Sequence, residues 1–143
     1  MYILDTDLFS LTERTDNHAS QRLRFRLLQH RGVKWATTII TFEEQMRGWM
    51  SWLSQSRTLD QQVERYRKLQ TMLWRYRDTD VLGFDDQALL ILKCLQQQRI
   101  RIGTMDLKIA AIALANNATL LSRNLKDFSK VPGLKVEDWS AES

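Results

Sequence analysis

Four acidic residues, far apart in the sequence, each follow a segment that predicts a strand end or a helix start. Asp5 and Asp7 come directly after the apolar run 2–4, and Glu44 and Asp106 lie where we predict the first turns of helices. In an open α/β sheet, ligands bind outside the carboxyl ends of the strands. We therefore expect these carboxylates to line one crevice at that edge of the sheet.

A crevice lined by carboxylates indicates a divalent cation. Two carboxylates about 4 Å apart repel by about 4 kcal/mol at an effective dielectric constant of 20, and a divalent cation turns that repulsion into attraction. Ligands that are all oxygen favour Mg²⁺ or Mn²⁺ over zinc. Taken singly, an acid at a helix start is better explained as a cap. Asp5 is the strongest candidate, because a buried strand has little structural reason to end in two negative charges.

Short apolar segments alternate with amphipathic segments along the chain, which predicts an α/β fold. The fold class that follows is a three-layer α/β/α sandwich with a mainly parallel central sheet, and we expect one domain over residues 1–143. Strands are predicted at 2–4, 35–40, 81–84, 118–121 and 135–137. Helices are predicted after the first strand, over 20–30, from an N-cap at Thr41, over 63–76, from a cap at Asp85 or Asp86, and from Thr104 or Met105.

The charge is uneven along the chain. The 21 Lys and Arg exceed the 17 Asp and Glu, and residues 14–77 hold 13 of the basic residues against 5 acids. An arginine-rich middle suits phosphate contacts, although charge alone does not separate nucleic-acid binding from solvated helix faces. The single cysteine, Cys94, excludes an internal disulfide and a thiolate zinc site. Without an apolar leader or a membrane-spanning run, we expect a cytoplasmic protein with no membrane contact.

Four segments together resemble a known family. They are Tyr-Ile-Leu-Asp-Thr-Asp-Leu-Phe at 2–9, Ile-Thr-Phe-Glu-Glu-Gln-Met-Arg-Gly at 40–48, Asp-Leu-Lys-Ile-Ala-Ala-Ile-Ala-Leu at 106–114 and Leu-Ser-Arg-Asn-Leu-Lys-Asp-Phe at 121–128. In order and spacing, the chain resembles the PIN-domain ribonucleases, especially the VapC toxins of bacterial type II toxin–antitoxin systems. The resemblance covers almost the whole chain.

The resemblance implies a set of catalytic residues. Asp5 would be the first metal ligand, Glu44 the second, and Asp106 the third acidic residue of the site and also a metal ligand. Glu44 is preferred to Glu43 because it stands four residues before Gly48.

The fourth acidic position departs from the family. Relatives often carry Asp where this chain has Asn124, so either Asn124 takes part through its amide oxygen or a water, or Asp127 replaces it. Asp7 and Ser122 are possible accessory residues. The family places a hydroxyl that can orient water or phosphate where Ser122 stands.

The function implied by the resemblance is that of a toxin cleaving structured RNA, either tRNA or ribosomal RNA. It would be a metal-dependent endoribonuclease that hydrolyses a phosphodiester with a metal-activated water, using Mg²⁺ or Mn²⁺. A small VapB-like antitoxin would be its partner. A homodimer is expected, since the helical spacing of the tryptophans at 49, 52 and 74 favours core or subunit contacts over stacking on bases. Candidate RNA-binding residues are Arg22, Arg26, Arg47 and Arg123.

Two alternatives remain open on the sequence. Asp5 and Asp7 also resemble the nucleophile and acid/base pair of haloacid-dehalogenase-like phosphatases, although Asp85-Asp86 would supply the downstream acidic pair in the wrong order. A second alternative is a catalytically weakened PIN-like module that binds RNA or a protein, with Asn124 as the sign of a weakened site.

Overall fold

A computed structural model describes residues 1–142 of the chain. Five strands form one sheet in the order β3-β2-β1-β4-β5, and every pair of neighbours is parallel. The strands are β1 (Tyr2–Leu4), β2 (Trp35–Thr38), β3 (Val81–Leu82), β4 (Thr119–Leu121) and β5 (Lys135–Glu137). Because all five run in the same direction, their carboxyl ends lie at one edge of the sheet.

Helices connect the strands and cover the sheet. They are α1 (Thr6–Leu11), α2 (His18–Gln29), α3 (Ile39–Ser54), α4 (Leu59–Arg77), α5 (Asp86–Gln97), α6 (Thr104–Ala115) and α7 (Leu125–Phe128). None of these helices, within the part of the chain described, is long and apolar enough to cross a membrane.

Alternate strand residues face two separate apolar cores. Ile3 and Leu120 pack with α5, α6 and α7, whereas Leu4 and Leu121 pack with α1, α2 and α4. This alternation is the two-residue period of a strand buried on both faces. The predicted three-layer α/β/α sandwich is therefore confirmed, and the sheet is parallel throughout.

The structure corrects the predicted boundary between β2 and α3. The strand ends at Thr38, and α3 begins at Ile39, because the Thr38 side chain accepts the N–H of Thr41 at 3.1 Å and so caps the helix. The predicted strand over 35–40 is present but ends earlier, at Thr38, and the predicted cap at Thr41 is wrong. The run of β-branched residues concealed this boundary, since Ile39 and Ile40 suit either element. Glu44 consequently lies in the second turn of α3 and not in the first.

The last residues described hold α2 against the rest of the fold. Arg22 donates from Nε to the carbonyl of Ser140 at 2.6 Å, and Arg26 donates from Nη1 to the carbonyl of Asp138 at 3.0 Å. Two of the predicted RNA-binding arginines therefore make contacts within the fold.

Helix α4 leaves much of its apolar surface uncovered. It buries Met72 and Tyr76, whereas Val63, Tyr66 and Leu73 are about half or more exposed. An apolar groove runs between α4 and α3, with Phe42, Met46, Met50, Val63, Tyr66, Leu69 and Leu73 among its lining residues.

Candidate active site

A cavity of about 610 Å³ lies at the carboxyl edge of the sheet. It brings together most of the site residues predicted from sequence, although they come from five different parts of the fold. Its lining residues are Asp5, Thr6, Asp7, Ser10, Arg14, Glu44, Asp106, Arg123 and Asn124. This placement agrees with the expectation that the four carboxylates line one crevice.

Asp5 links the end of β1 to the start of α1. Its Oδ1 accepts the N–H of Leu8 at 2.9 Å and caps α1, while its Oδ2 accepts the Ser122 hydroxyl at 2.5 Å. The carboxyl group is only 6% exposed. Burial raises the pKa of Asp5 to about 6, and the charges of Asp7 and Asp106 add to the rise, against the opposing effect of the two hydrogen bonds.

Ser122 acts on Asp5 and not on solvent. It is fully buried, and its Oγ both donates to Asp5 and accepts the N–H of Asn124 at 2.9 Å. Contact with water or phosphate, which the family resemblance suggested for this hydroxyl, does not fit such burial. The geometry instead makes Ser122 the residue that fixes the orientation of the Asp5 carboxyl group.

Glu44 is held in the cavity by a threonine that sequence reasoning missed. The Thr6 hydroxyl donates to Glu44 Oε1 at 2.9 Å, and it lies 3.0 Å from the hydroxyl of Thr41. Burial raises the pKa of Glu44, and the charge of Asp106 adds to the rise. The signal in the sequence was the position of Thr6 directly after Asp5, because a residue that follows a strand end must also face the same edge.

The neighbouring glutamate faces away from the cavity. Glu43 accepts a hydrogen bond from Arg47 at 2.5 Å one turn along the exposed surface of α3. This placement agrees with the preference for Glu44 over Glu43. Arg47, the third predicted RNA-binding arginine, is consequently paired with Glu43 outside the cavity.

Asp106 lies in the first turn of α6, as predicted. The N-cap of α6 is Gly103, which provides no side-chain acceptor, and the carboxyl group of Asp106 lines the cavity. Burial raises the pKa of Asp106, and the charge of Asp127 adds to the rise. The charge of Asp106 in turn adds to the rise in the pKa of both Asp5 and Glu44.

Asn124 and Asp127, the two candidates for the fourth site position, differ in placement. Asn124 lines the cavity and caps α7, with its Oδ1 accepting the N–H of Asp127 at 3.4 Å and its Nδ2 donating to the Asp127 carboxylate at 3.1 Å. Asp127 also pairs with Lys130 at 3.4 Å, and the Asn124 hydrogen bond is the main cause that lowers the pKa of Asp127. The geometry favours Asn124 as the fourth residue and gives Asp127 a supporting contact.

Asp7 and Arg123 form an ion pair at the rim of the cavity. The guanidinium donates from Nε to Asp7 Oδ2 and from Nη2 to Asp7 Oδ1, each at 2.6 Å. Asp7 is therefore paired with the guanidinium of Arg123, which follows β4. A carboxylate held in an ion pair does not resemble a free acid/base partner for Asp5. Of the four predicted RNA-binding arginines, Arg123 lines the cavity, together with Arg14, which sequence reasoning did not single out.

The donor groups fit a hard divalent cation in their chemistry. The carboxylates of Asp5, Glu44 and Asp106 and the amide of Asn124 offer oxygen ligands in one cavity. Over residues 1–142, however, no three His, Cys, Asp or Glu side chains lie close enough together to form a metal cage. Mg²⁺ needs no such cage, because it keeps several waters and commonly takes only one or two protein carboxylates.

No protein-family model matches the chain, but individual relatives do. Over 45 residues, the chain is 47% identical to Ribonuclease VapC2 of Rickettsia felis, a match that covers 32% of this chain and 34% of that protein. Over 64 residues, it is 31% identical to the tRNA(fMet)-specific endonuclease VapC of Salmonella typhimurium, covering 42% of this chain and 48% of that protein. The matches thus span a third to a half of the length of these relatives.

Solved structures extend the similarity to almost the whole chain. The VapBC2 complex of Rickettsia felis, bound to a DNA fragment from its promoter, contains a chain that aligns with a TM-score of 0.69 at 25% identity, covering 96% of this chain and 98% of that one. VapBC-1 of nontypeable Haemophilus influenzae aligns with a TM-score of 0.72 at 24% identity, over 98% of both chains. The all-parallel sheet flanked by helices is the α/β/α fold of the chains aligned in these VapBC complexes, a PIN-like fold. In sequence, the chain is similar to VapC ribonucleases over a third to a half of their length.

Proposed function

We propose that the chain is a metal-dependent endoribonuclease and the toxin of a toxin–antitoxin pair. The observation that carries the proposal is the single cavity that gathers Asp5, Glu44, Asp106 and Asn124 from four separate parts of the chain. Named relatives are ribonucleases, which does not favour a haloacid-dehalogenase-like phosphatase or a weakened binding module. Structured RNA, either tRNA or ribosomal RNA, is the proposed substrate.

Asp5 and Asp106 are the proposed ligands of Mg²⁺ or Mn²⁺, with Asn124 as a neutral fourth group. When bound, such a cation would activate a water and neutralise charge on the phosphoryl oxygens. Ser122 holds Asp5 in one orientation through its short hydrogen bond. Such a cation would also offset the charge repulsion that adds to the effect of burial on the pKa values of these carboxyl groups.

Glu44 is the proposed proton acceptor of the reaction. Thr6 occupies its Oε1, so that Oε2 is the oxygen proposed to take a proton from the attacking water. Burial raises the pKa of Glu44 above its ordinary value, and a base whose pKa lies nearer the working pH transfers protons more effectively.

Cleavage of total tRNA and ribosomal RNA by the purified chain tests this proposal. We expect cleavage with Mg²⁺ or Mn²⁺, none with EDTA, and a loss of about 100-fold or more in Asp106→Asn and Glu44→Gln. Asp86→Asn is the matched control, since Asp86 occupies the first turn of α5 as Asp106 does in α6 but is exposed outside the cavity. Undiminished cleavage by a folded Asp106→Asn protein would contradict the assignment of the site.

A small VapB-like antitoxin is the proposed partner. The VapC relatives of known structure were solved as VapBC complexes, and the uncovered groove between α3 and α4 offers an apolar surface to a partner. An antitoxin arginine placed in the cavity would pair with its carboxylates and displace the cation. We expect a complex with the product of an adjacent short gene to cleave RNA far more slowly than the free chain. Equal cleavage rates would contradict inhibition by occlusion of the site.

The proposed homodimer is a separate expectation about the same chain. Light scattering of the purified protein at several concentrations measures its mass directly. A mass of twice 16.9 kDa is expected, and a constant monomer mass would contradict the dimer without bearing on the nuclease site.

A further inference from the structure

The ion pair of Asp7 and Arg123 is built from two distant parts of the chain at the entrance to the acidic cavity. Asp7 belongs to the first turn of α1, and Arg123 stands between β4 and α7. Both nitrogen-to-oxygen distances are 2.6 Å, and both side chains are about half exposed. The pair lines the same cavity as Asp5, Glu44 and Asp106.

Stability of the fold does not explain this pair well. Ion pairs with this degree of exposure contribute little to folding, because solvent screens them and both side chains lose rotamer freedom. A carboxylate at the entrance is also unfavourable for a protein that binds RNA, since it repels the phosphate backbone. A role for Asp7 must therefore come from what it does to Arg123.

The geometry of the pair leaves a specific part of the guanidinium available. Arg123 has five N–H donors, and Asp7 takes one on Nε and one on Nη2. Both N–H groups of Nη1 and the second on Nη2 remain, and one N–H from each of these two nitrogens forms the outer edge of the planar group. Such an edge matches two phosphate oxygens, just as the first edge matches two carboxylate oxygens.

The place of Arg123 in the chain sets where a phosphate bound there would lie. Arg123 stands between Ser122, which holds the Asp5 carboxyl group, and Asn124, which lines the cavity. A phosphate on the free edge would therefore lie beside the carboxylates proposed to hold the cation.

We propose that Asp7 is a positioning residue, which holds Arg123 so that the free edge of its guanidinium binds a phosphate of the RNA strand in the cavity. This inference rests on the proposed ribonuclease function. It makes Arg123 a substrate-contacting residue and assigns Asp7 no contact with metal or RNA. The two residues should consequently act as a unit, each losing its effect when the other is absent.

Removing the charge of Asp7 tests the proposal. If Asp7 positions Arg123, its loss should weaken RNA binding, whereas if its charge only repels RNA, its loss should strengthen binding. The measurements are the affinity for a fluorescein-labelled tRNA in EDTA over a range of NaCl concentrations, and kcat and KM for its cleavage with Mg²⁺. Arg123→Ala should weaken binding about tenfold and lower the slope of log K against log salt by about 0.7 to 0.9, the loss of one phosphate contact. Asp7→Asn should also weaken binding, by a few-fold, and lower kcat by about tenfold, since a misplaced phosphate slows the chemistry.

The double variant and a matched pair elsewhere complete the test. In the Arg123→Ala background, Asp7→Asn should no longer weaken binding. Asp78→Asn and Arg77→Ala are the controls, because they break an exposed Arg–Asp pair of the same charge outside the cavity lining, and neither should lower kcat.

Three results would overturn the inference. Binding that is unchanged or tighter in Asp7→Asn would show that Asp7 does not position Arg123 for RNA. A lower melting temperature with unchanged salt slope and kcat would show a purely structural pair. A wild-type chain that neither binds nor cleaves RNA would overturn the proposed function as well, whereas a wild type that cleaves normally beside an unaffected Asp7→Asn variant would overturn this inference alone.

Discussion

Replacing Asp5 by Asn should stabilise the metal-free protein at neutral pH. Burial raises the pKa of Asp5 from its ordinary value of 3.8 to about 6, so the folded state favours the protonated form. Each pKa unit corresponds to about 1.4 kcal/mol, and the ionised carboxyl group therefore costs the fold about 3 kcal/mol above pH 6. Asn cannot ionise, and its carbonyl oxygen keeps the contact with the Leu8 N–H that caps α1.

The sign of the pH dependence follows from the direction of the shift. Below pH 3.8, Asp5 is protonated in both folded and unfolded chains, and the substitution has nothing to relieve. The cost grows as the pH rises from 3.8 to about 6 and is constant above that. The gain from Asp5→Asn should accordingly be small at pH 4 and reach at most about 3 kcal/mol at pH 7.5, a rise of several degrees in melting temperature for a chain of this length.

Denaturant unfolding in EDTA at pH 4 and pH 7.5 measures this gain. Asp85→Asn is the matched control, since Asp85 caps α5 through the N–H of Ala88 at 2.9 Å but is exposed, and Asn caps as well as Asp does. Saturating Mg²⁺ should reduce the difference in unfolding free energy between Asp5→Asn and the wild type, because the wild type alone keeps the carboxylate ligand. No gain at pH 7.5, or an equal gain at pH 4, would refute the reasoning about buried charge.

Three further substitutions probe the groups around the site. Ser122→Ala should cost about 1–3 kcal/mol of stability and raise the pKa of Asp5 further, because a buried carboxyl group loses its hydroxyl donor; denaturant unfolding and NMR titration measure the two effects, and an unchanged pKa would contradict the role given to the hydroxyl. Thr6→Val should raise the pKa of Glu44 and move the acidic limb of the pH profile of kcat to higher pH, since the hydrogen bond to Oε1 favours the charged form; an unmoved limb would argue against Glu44 as the base. Asn124→Asp should lower the Mg²⁺ concentration for half-maximal cleavage but reduce stability in EDTA, as a further carboxylate joins the cavity; a higher Mg²⁺ requirement would exclude Asn124 from the metal site.

Much of the fold was predictable because the distribution of apolar residues along the sequence marks both the strands and the helices. The short apolar runs before Asp5 and Ser122 are strands whose last two residues are buried, and α6 is so apolar that it had to be covered on nearly all sides. The boundary at Thr38 was not predictable from propensity, since the same β-branched residues suit the end of a strand and the start of a helix. A side-chain cap decided it, and that hydrogen bond depends on backbone geometry that the composition of the segment does not reveal.

The placement of the carboxylates in one cavity was predictable from strand direction, but their hydrogen-bond partners were not. A parallel sheet brings the residues after β1 and β4 to one edge whatever their identities. The contact of Thr6 with Glu44 depends on how α3 packs against α1, which no local pattern contains. The burial of Ser122 is likewise a property of the assembled sheet and not of the segment in which it occurs.

The net charge that the site offers to a cation or a substrate is smaller than its count of acidic residues. Asp7 is neutralised by Arg123, and Asp127 pairs with Lys130. Asp5, Glu44 and Asp106 form no ion pair within the described part of the chain, and the pKa of each is raised chiefly by burial. These three carboxylates already repel one another in the metal-free cavity, and a fourth would add to that repulsion before any cation is bound. A neutral amide at position 124 limits that cost, while its oxygen caps α7 by accepting the N–H of Asp127, so the departure from Asp at this position is compatible with a working metal site.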